Sequence, residues 1–252
     1  MLLHLSDLHF GTERPECIRA IQKFCIEQQP EVVVVSGDLT QRAKFREFLA
    51  CKQFLESLKT PYFVVPGNHD IPLYHLWKRA FRPFGLYQLF FGSLENTLAT
   101  QHFYLIGMNS IRRRYHTRGS ISLEQIQKVD QQLIQAPANK LKIIVSHQPF
   151  YTTQENHHLK DCPALGRFAI QEWGQHQLHA LLHGHLHLVA VYDLNQEFAL
   201  NLTHAVYEVH AGTAISSRLH KNIPNSFNVI GSDGSFKHYF FDEQQQDFIA
   251  QI

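Results

Sequence analysis

The chain has 252 residues, of which 44% are hydrophobic and 18% charged, and its formal net charge is +1 with histidine neutral. That length suits one large domain or two small ones, and the apolar fraction supports a core without a disulfide staple. The near-neutral balance excludes the global basic field that drives non-specific nucleic-acid binding.

The chain opens with "MLLHLSDLHF". Leu2 to Leu5 reads as a strand, and Asp7 interrupts the apolar run too soon for a signal peptide. No later run approaches the ~20 apolar residues of a membrane span. "RPECIRAIQKFCIEQQ" places Ile18, Ile21, Phe24 and Cys25 at helical spacing. "EVVVVSGD" is a continuous β-branched run, which suits a strand buried on both faces. "QRAKFREFLACKQFLESL" carries a broad apolar stripe through Phe45, Phe48, Leu49, Phe54, Leu55 and Leu58. "PYFVVPGNHD" returns to a strand. This rhythm predicts parallel strands joined by crossover helices.

"LYHLWKRAFRPFG" predicts a short helix ending before Pro83, and "HFYLIGMNS" a strand. "SLEQIQKVDQQLIQ" carries a capping box, with Ser122 as N-cap and Gln125 three residues on. "LKIIVSHQP" is a strand, followed by a His-, Thr- and Asn-rich loop from Thr152 to Asp161. "LGRFAIQEWGQH" is a short helix, and "LHALLHGHLH" closes as strand and turn. After Leu188, "VAVYDL", "AVYEVHAGTA", "SFNVIG" and "FKHYFF" read as adjacent strands, the last two linked by the turn "SDGS". Their succession predicts antiparallel pairing in a second sheet packed on the first. The expected organisation is one domain over 1–252, with the polar motifs in 1–188 and mostly second-sheet strands in 189–252.

Cys17, Cys25, Cys51 and Cys162 form no C-x-x-C pair and read as free thiols of a reducing compartment. The expected location is cytoplasmic, with no membrane partner. Arg112, Arg113 and Arg114 form the tight basic cluster, read as a solvated loop with a local phosphate clamp as the alternative.

One pattern recurs at strand ends. Asp7 and His9 follow "LLHLS"; Asp38 follows "VVVVSG"; Asn68 and His69 follow "FVVPG"; His147 follows "IIVS"; His185 and His187 follow "ALLHG". The carboxyl edge of an open α/β sheet is where ligands bind. Carboxylate with imidazole suits divalent transition metals, and the lack of cysteine disfavours a structural thiolate zinc site. Seven candidate ligands, without His69, exceed one tetrahedral ion but suit two ions sharing a carboxylate. Two metals ~3.5–4 Å apart are a known clamp for in-line displacement at phosphorus. Gly37, Gly67 and Gly184 each precede a candidate ligand, where close backbone approach is permitted. Any one group alone reads as a turn; the conjunction of five reads as a site.

The ordered set Asp7-Leu8-His9, Gly37-Asp38, Gly67-Asn68-His69-Asp70, His147 and Gly184-His185-Leu186-His187 resembles the calcineurin-like metallophosphoesterase superfamily. "LSDLHFG", "GDLTQRA", "GNHDIPLY" and "GTAISSRLHKNIPNSFNVI" look like its bacterial cyclic-nucleotide phosphodiesterase branch. The resemblance implies an α/β fold of two packed mixed β-sheets flanked by helices, a four-layer αββα sandwich. It implies one metal on Asp7, His9, Asp38 and His187, and a second on Asp38, Asn68, His147 and His185. The ions would be iron, manganese or zinc, divalent or trivalent. His69 would sit by the phosphate, stabilising charge or protonating the leaving oxygen, and Asp70 would orient this region. The implied activity is hydrolysis of a small phosphodiester, such as a 3',5'-cyclic nucleotide, by a hydroxide bridging the metals.

The alternatives are a phosphomonoesterase or nuclease of the same superfamily, and a scaffold that keeps the fold without catalysis. A nuclease needs a nucleic-acid surface, and only the triple arginine offers a track. A scaffold usually loses ligands, and none is lost here. Arg218, in "GTAISSR", is a candidate substrate contact; His157-His158 and Asn109-Ser110 read as loop or turn residues, with the pocket as the alternative. His4 and His183, inside strands, are expected to be hydrogen-bonded core residues.

Overall fold

The computed structural model describes residues 1–73, 75–115, 117–153 and 160–251. Two six-stranded mixed sheets stack face to face. The first runs β12 (Asp247–Ala250), β11 (Phe236–Asp242), β10 (Ser226–Ile230), β1 (Leu2–Leu5), β2 (Val32–Val35) and β3 (Tyr62–Val64). The second runs β4 (Thr97–Ala99), β5 (Phe103–Gly107), β6 (Leu141–Val145), β7 (Leu178–His183), β9 (Tyr207–His210) and β8 (Ala190–Asp193).

Strand alternation explains the layering. In the first sheet Leu2, Val32 and Val34 face inward, against Phe103, Leu105, Ile143, Val145 and Leu182 of the second. Their neighbours Leu3, Leu5, Val33 and Val35 face outward, against α1 (Pro15–Gln28) and α2 (Phe45–Ser57). On the far side, Ile106, Ile144 and Leu181 pack on α5 (Leu123–Gln135) and α6 (Gly166–Gly174). Both faces of each sheet are therefore covered, which is why the strands are continuously apolar. The result is the expected four-layer αββα sandwich. Local signals set the helix starts: Pro15 opens α1, and Ser122 Oγ accepts from Gln125 N at 3.2 Å to cap α5.

β1–β2–β3 and β5–β6–β7 are parallel, as the crossover rhythm predicts. Their carboxyl ends lie along one rim. The C-terminal region departs from expectation. β8 and β9 complete the second sheet, with β9 parallel to β7. β10, β11 and β12 instead extend the first sheet, β10 pairing antiparallel with β1 through His4↔Asn228. Residues 189–252 are thus divided between the sheets. The physical reason is that β2 covers only one edge of β1, and an antiparallel hairpin closes the other. α3 (Leu76–Phe81) is the expected short helix, while α4 (Gly85–Phe91), α7 (Leu194–Phe198), β4 and β12 are too short to carry a periodic signal in the sequence. Among the described residues, no helix is long and apolar enough to cross a membrane.

Candidate metal centre

Five loops leave the rim and carry the candidate ligands. Asp7, His9, Asp38, His185 and His187 all have left-handed backbone, with φ of 50°, 46°, 50°, 67° and 52°. Such conformations crowd the Cβ of any L-residue against its backbone and cluster at functional sites. In D-x-H and H-x-H alike, the middle residue (Leu8 or Leu186) is buried while its neighbours turn to the rim. Two glycines let the loops interlock. A Cβ on Gly67 would fall on the backbone N and Oδ1 of Asp38, and one on Gly184 would fall on Ser6 Oγ and Asp7 Oδ2.

Two sets of side chains meet at Asp38. On one side His9 Nε2 lies 3.7 Å from both Asp7 Oδ1 and Asp38 Oδ2, and His187 Nε2 lies 3.2 Å from Asp7 Oδ1. On the other, His147 Nε2 lies 3.4 Å from Asp38 Oδ1 and 3.0 Å from Asn68 Oδ1, which is 3.1 Å from His185 Nδ1. The ligand atoms of Asp7, His9 and His187 lie within 4.8 Å of one another, as do those of Asp7, Asp38 and His147, and of His9, Asp38 and His69.

Each of four imidazoles has one ring nitrogen fixed, which aims the other. His147 Nδ1 donates to Ser36 O at 2.9 Å, and His187 Nδ1 to Arg218 O at 3.0 Å. His69 Nδ1 donates to Gln41 O at 2.9 Å, which turns Nε2 to the site edge. His185 Nε2 meets Asp161 Oδ1 at 3.1 Å. Asp161 is a residue that sequence reading missed, because a lone loop carboxylate carries no local pattern. Arg218 lies where its Nη1 donates to Gln41 Oε1 at 3.0 Å and comes 3.4 Å from His69 Nε2.

Asp70 accepts from Gly67 N, Leu39 N, Thr40 N and Thr40 Oγ1 at 2.8–3.1 Å, tying the Asp38 loop to the Asn68 loop. Burial, with the Asp38 charge nearby, pushes its pKa up to about 7 against those donors. Burial also acts on Asp7 and Asp38, but neighbouring histidines overcome it and hold both carboxyls well below the usual range. Burial would depress His147, yet Asp38 and then Asp7 raise it to about 9; His9, more dominated by burial, falls to about 3.

The donor set fits transition-metal ions. Carboxylate oxygens, imidazole nitrogens and one amide oxygen converge, and His9 Nε2 stands 3.2 Å from His187 Nε2. Among the described residues, Asp7 Oδ1 is buried with no hydrogen-bond partner. Cations held there would satisfy these lone pairs together.

Behind the rim lies a second polar cluster. Glu208 of β9 is buried and accepts at Oε1 from Phe150 N and Tyr151 N, at 2.8 and 3.0 Å. The same oxygen is 3.4 Å from His183 Nε2 and 3.3 Å from His210 Nε2. It anchors the loop that carries His147. Its one sequence signal was a charged residue inside an apolar strand. Glu208→Ala orphans two buried N–H groups and is expected to destabilise by about 2–5 kcal/mol in urea denaturation, with Glu208→Gln losing less. A loss below about 0.5 kcal/mol for the alanine variant would remove this anchoring role. His183 Nδ1 also meets Ser146 Oγ at 3.0 Å, and His4 Nε2 meets Ser36 Oγ at 2.9 Å, so both are hydrogen-bonded core residues.

Other candidates sit elsewhere. Asn109 Oδ1 accepts from Ile111 N at 2.9 Å, so the side chain closes its own turn. Arg112 is half-buried and tied to the Asn109 and Ile111 carbonyls, whereas Arg113 and Arg114 are exposed, as the solvated-loop reading expects. His157-His158 lie outside the described residues.

The family model for calcineurin-like phosphoesterases matches residues 1–189. This chain belongs to that family. It is 25% identical over 189 residues to a probable glycerophosphodiester phosphodiesterase GpdQ of Arcobacter nitrofigilis, covering 73% of this chain and 66% of that protein. It is 23% identical over 162 residues to a probable cyclic nucleotide phosphodiesterase of Vesicomyosocius okutanii, covering 64% of each. These matches span less than two thirds of the relatives' own length. Among solved structures, yellow lupin purple acid phosphatase PPD1 superposes with TM-score 0.69 at 13% identity, covering 99% of this chain and 52% of that one. A dimetal phosphatase from Danio rerio gives 0.60 at 12%, covering 96% and 92%. At these identities the structural likeness concerns the fold alone.

Proposed function

We propose that the chain is a dinuclear metal-dependent phosphoesterase that hydrolyses a small phosphodiester. The observation that carries this reading is the meeting of two ligand sets on one carboxylate, Asp38. Asp7, His9, Asp38 and His187 would hold one ion, and Asp38, Asn68, His147 and His185 the other, from among iron, manganese and zinc. When bound, the pair supplies an activated water and offsets phosphoryl charge. The remaining work falls to the chain. The Gln41 carbonyl accepts from His69 Nδ1 and so turns Nε2 toward the site, where the imidazolium form can donate from Nε2 to a phosphoryl or leaving-group oxygen. Arg218 is braced by Gln41 beside it and offers a cationic N–H to the same group. Asp70 keeps the Asp38 and Asn68 loops in register. A diester is favoured by the names of the relatives, and four separate, buried thiols suit a cytoplasmic setting.

His69→Ala is expected to lower kcat roughly 10²–10⁴-fold while metal content is retained. Metal analysis alongside turnover of cyclic nucleotides, linear diesters and monoesters checks this. Loss of the ions in the variant would show that His69 is a ligand and the assigned role is wrong.

A further inference from the structure

A cavity of about 890 Å³ lies beside the metal centre, large enough for a sizeable ligand group. Its walls are the loop after β2, the turn after Asp70, α3 and the start of α4. A smaller recess of about 180 Å³, lined partly by Asn68 and His69, adjoins it, and Arg42 and Leu73 wall both. The larger cleft is therefore next to the recess that reaches Asn68 and His69.

The lining has two characters. Ala43, Phe45, Pro72, Leu73 and Leu86 are apolar, while Arg42, Lys44, Lys78 and Arg82 are cationic and His75 adds an imidazole. Among the described residues, no carboxylate lines the cleft. From Ile71 to Leu94 the chain carries Lys78, Arg79 and Arg82 but no acidic residue, against a net charge of only +1 overall. The same stretch exposes Leu76, Trp77 and Phe81, at 75%, 79% and 72%. Trp77 and Phe81 stack at 5.1 Å. Exposed apolar side chains grouped in this way mark a binding surface. This cleft offers an apolar wall with a cationic rim, which complements a molecule that is apolar at one end and anionic at the other.

We propose that the cleft receives the apolar tail of an amphiphilic phosphodiester, of the lysophospholipid type, with its phosphate at the metal centre. This rests on the phosphodiesterase reading above and names its substrate class. In the reaction water adds its oxygen to phosphorus, one P–O ester bond breaks, and the leaving alcohol takes a proton. The tail is not altered; it positions the diester.

The test is a series of alkyl p-nitrophenyl phosphodiesters, methyl to dodecyl, kept below their critical micelle concentrations so that only monomers are read. Binding of matching alkylphosphonates to the metal-loaded protein is measured by calorimetry in parallel. Both kcat/KM and phosphonate affinity are expected to rise roughly three-fold per methylene until the cleft is full. Phe45→Glu, at a half-exposed position, is expected to flatten the two slopes, and Lys78→Glu to lower both readouts at every chain length. Hydrolysis of all diesters with no dependence on chain length overturns the proposal and leaves the phosphodiesterase reading intact. Chain-length-dependent phosphonate binding without hydrolysis of any phosphoester supports the cleft and overturns the phosphodiesterase reading instead.

Discussion

Asp38→Ala is expected to lower kcat/KM by about a thousand-fold or more, above the 10–100-fold typical of losing an outer partner of a metal ligand. In the proposed assignment, Asp38 is the residue on which both ligand sets depend. Its Oδ2 faces His9 and its Oδ1 faces His147. Oδ1 also accepts from His69 N at 2.8 Å, so the change loosens the loop that presents His69. Metal content is expected to fall from two ions to one or none per chain. Asp38→Asn, which keeps the shape but loses the charge, should retain more of the fold and little more activity. Near-normal turnover with two ions bound to the alanine variant would sink the dinuclear assignment.

Gly67→Ala is expected to be nearly as damaging, although alanine adds only a methyl group and carries no charge. The new Cβ would collide with the main-chain nitrogen of Asp38 as well as its carboxylate. A flexible side chain can step aside, but the backbone between β2 and α2 is pinned by Phe10 N, which donates to Leu39 O at 3.0 Å, and by Asp70. Overpacking of this kind costs about 1–3 kcal/mol, occasionally more. Activity is expected to fall at least about 100-fold, since a displacement near 1 Å at the chemistry can cost that much. Thermal unfolding with metal analysis separates the two effects. A variant with wild-type Tm and full metal occupancy would show that the loops are slack enough to absorb the methyl group.

Much of the architecture was legible because the strands are continuous apolar runs with polar side chains at one end. The parallel order of β1, β2 and β3 follows from the intervening amphipathic helices. The placement of Asp7, His9, Asp38, Asn68, His147, His185 and His187 along one rim follows from that order together with β6 and β7. Partner choice by the last strands was not legible. An antiparallel hairpin such as β10–β11 can close any open edge, and nothing local in "SFNVIG" names β1 as its neighbour. Asp161 and Glu208 were missed for a related reason. Each is a single carboxylate whose meaning comes from residues far away in sequence: His185 for one, and the Phe150–Tyr151 backbone for the other. The left-handed backbone at the rim was also hidden, since aspartate and histidine advertise it much less than glycine does.

The division of the last strands between the sheets bears on how the chain can be cut. A fragment stopping near residue 189 keeps all seven rim side chains and the whole stretch matched by the family model. It nevertheless strips β10 from β1 and β9 from β7, baring the flank of a central strand in each half of the sandwich. Unpaired strand flanks of this kind recruit other chains. Limited proteolysis in that region should therefore yield aggregates rather than a miniature enzyme, and the two pieces should regain function only when refolded together.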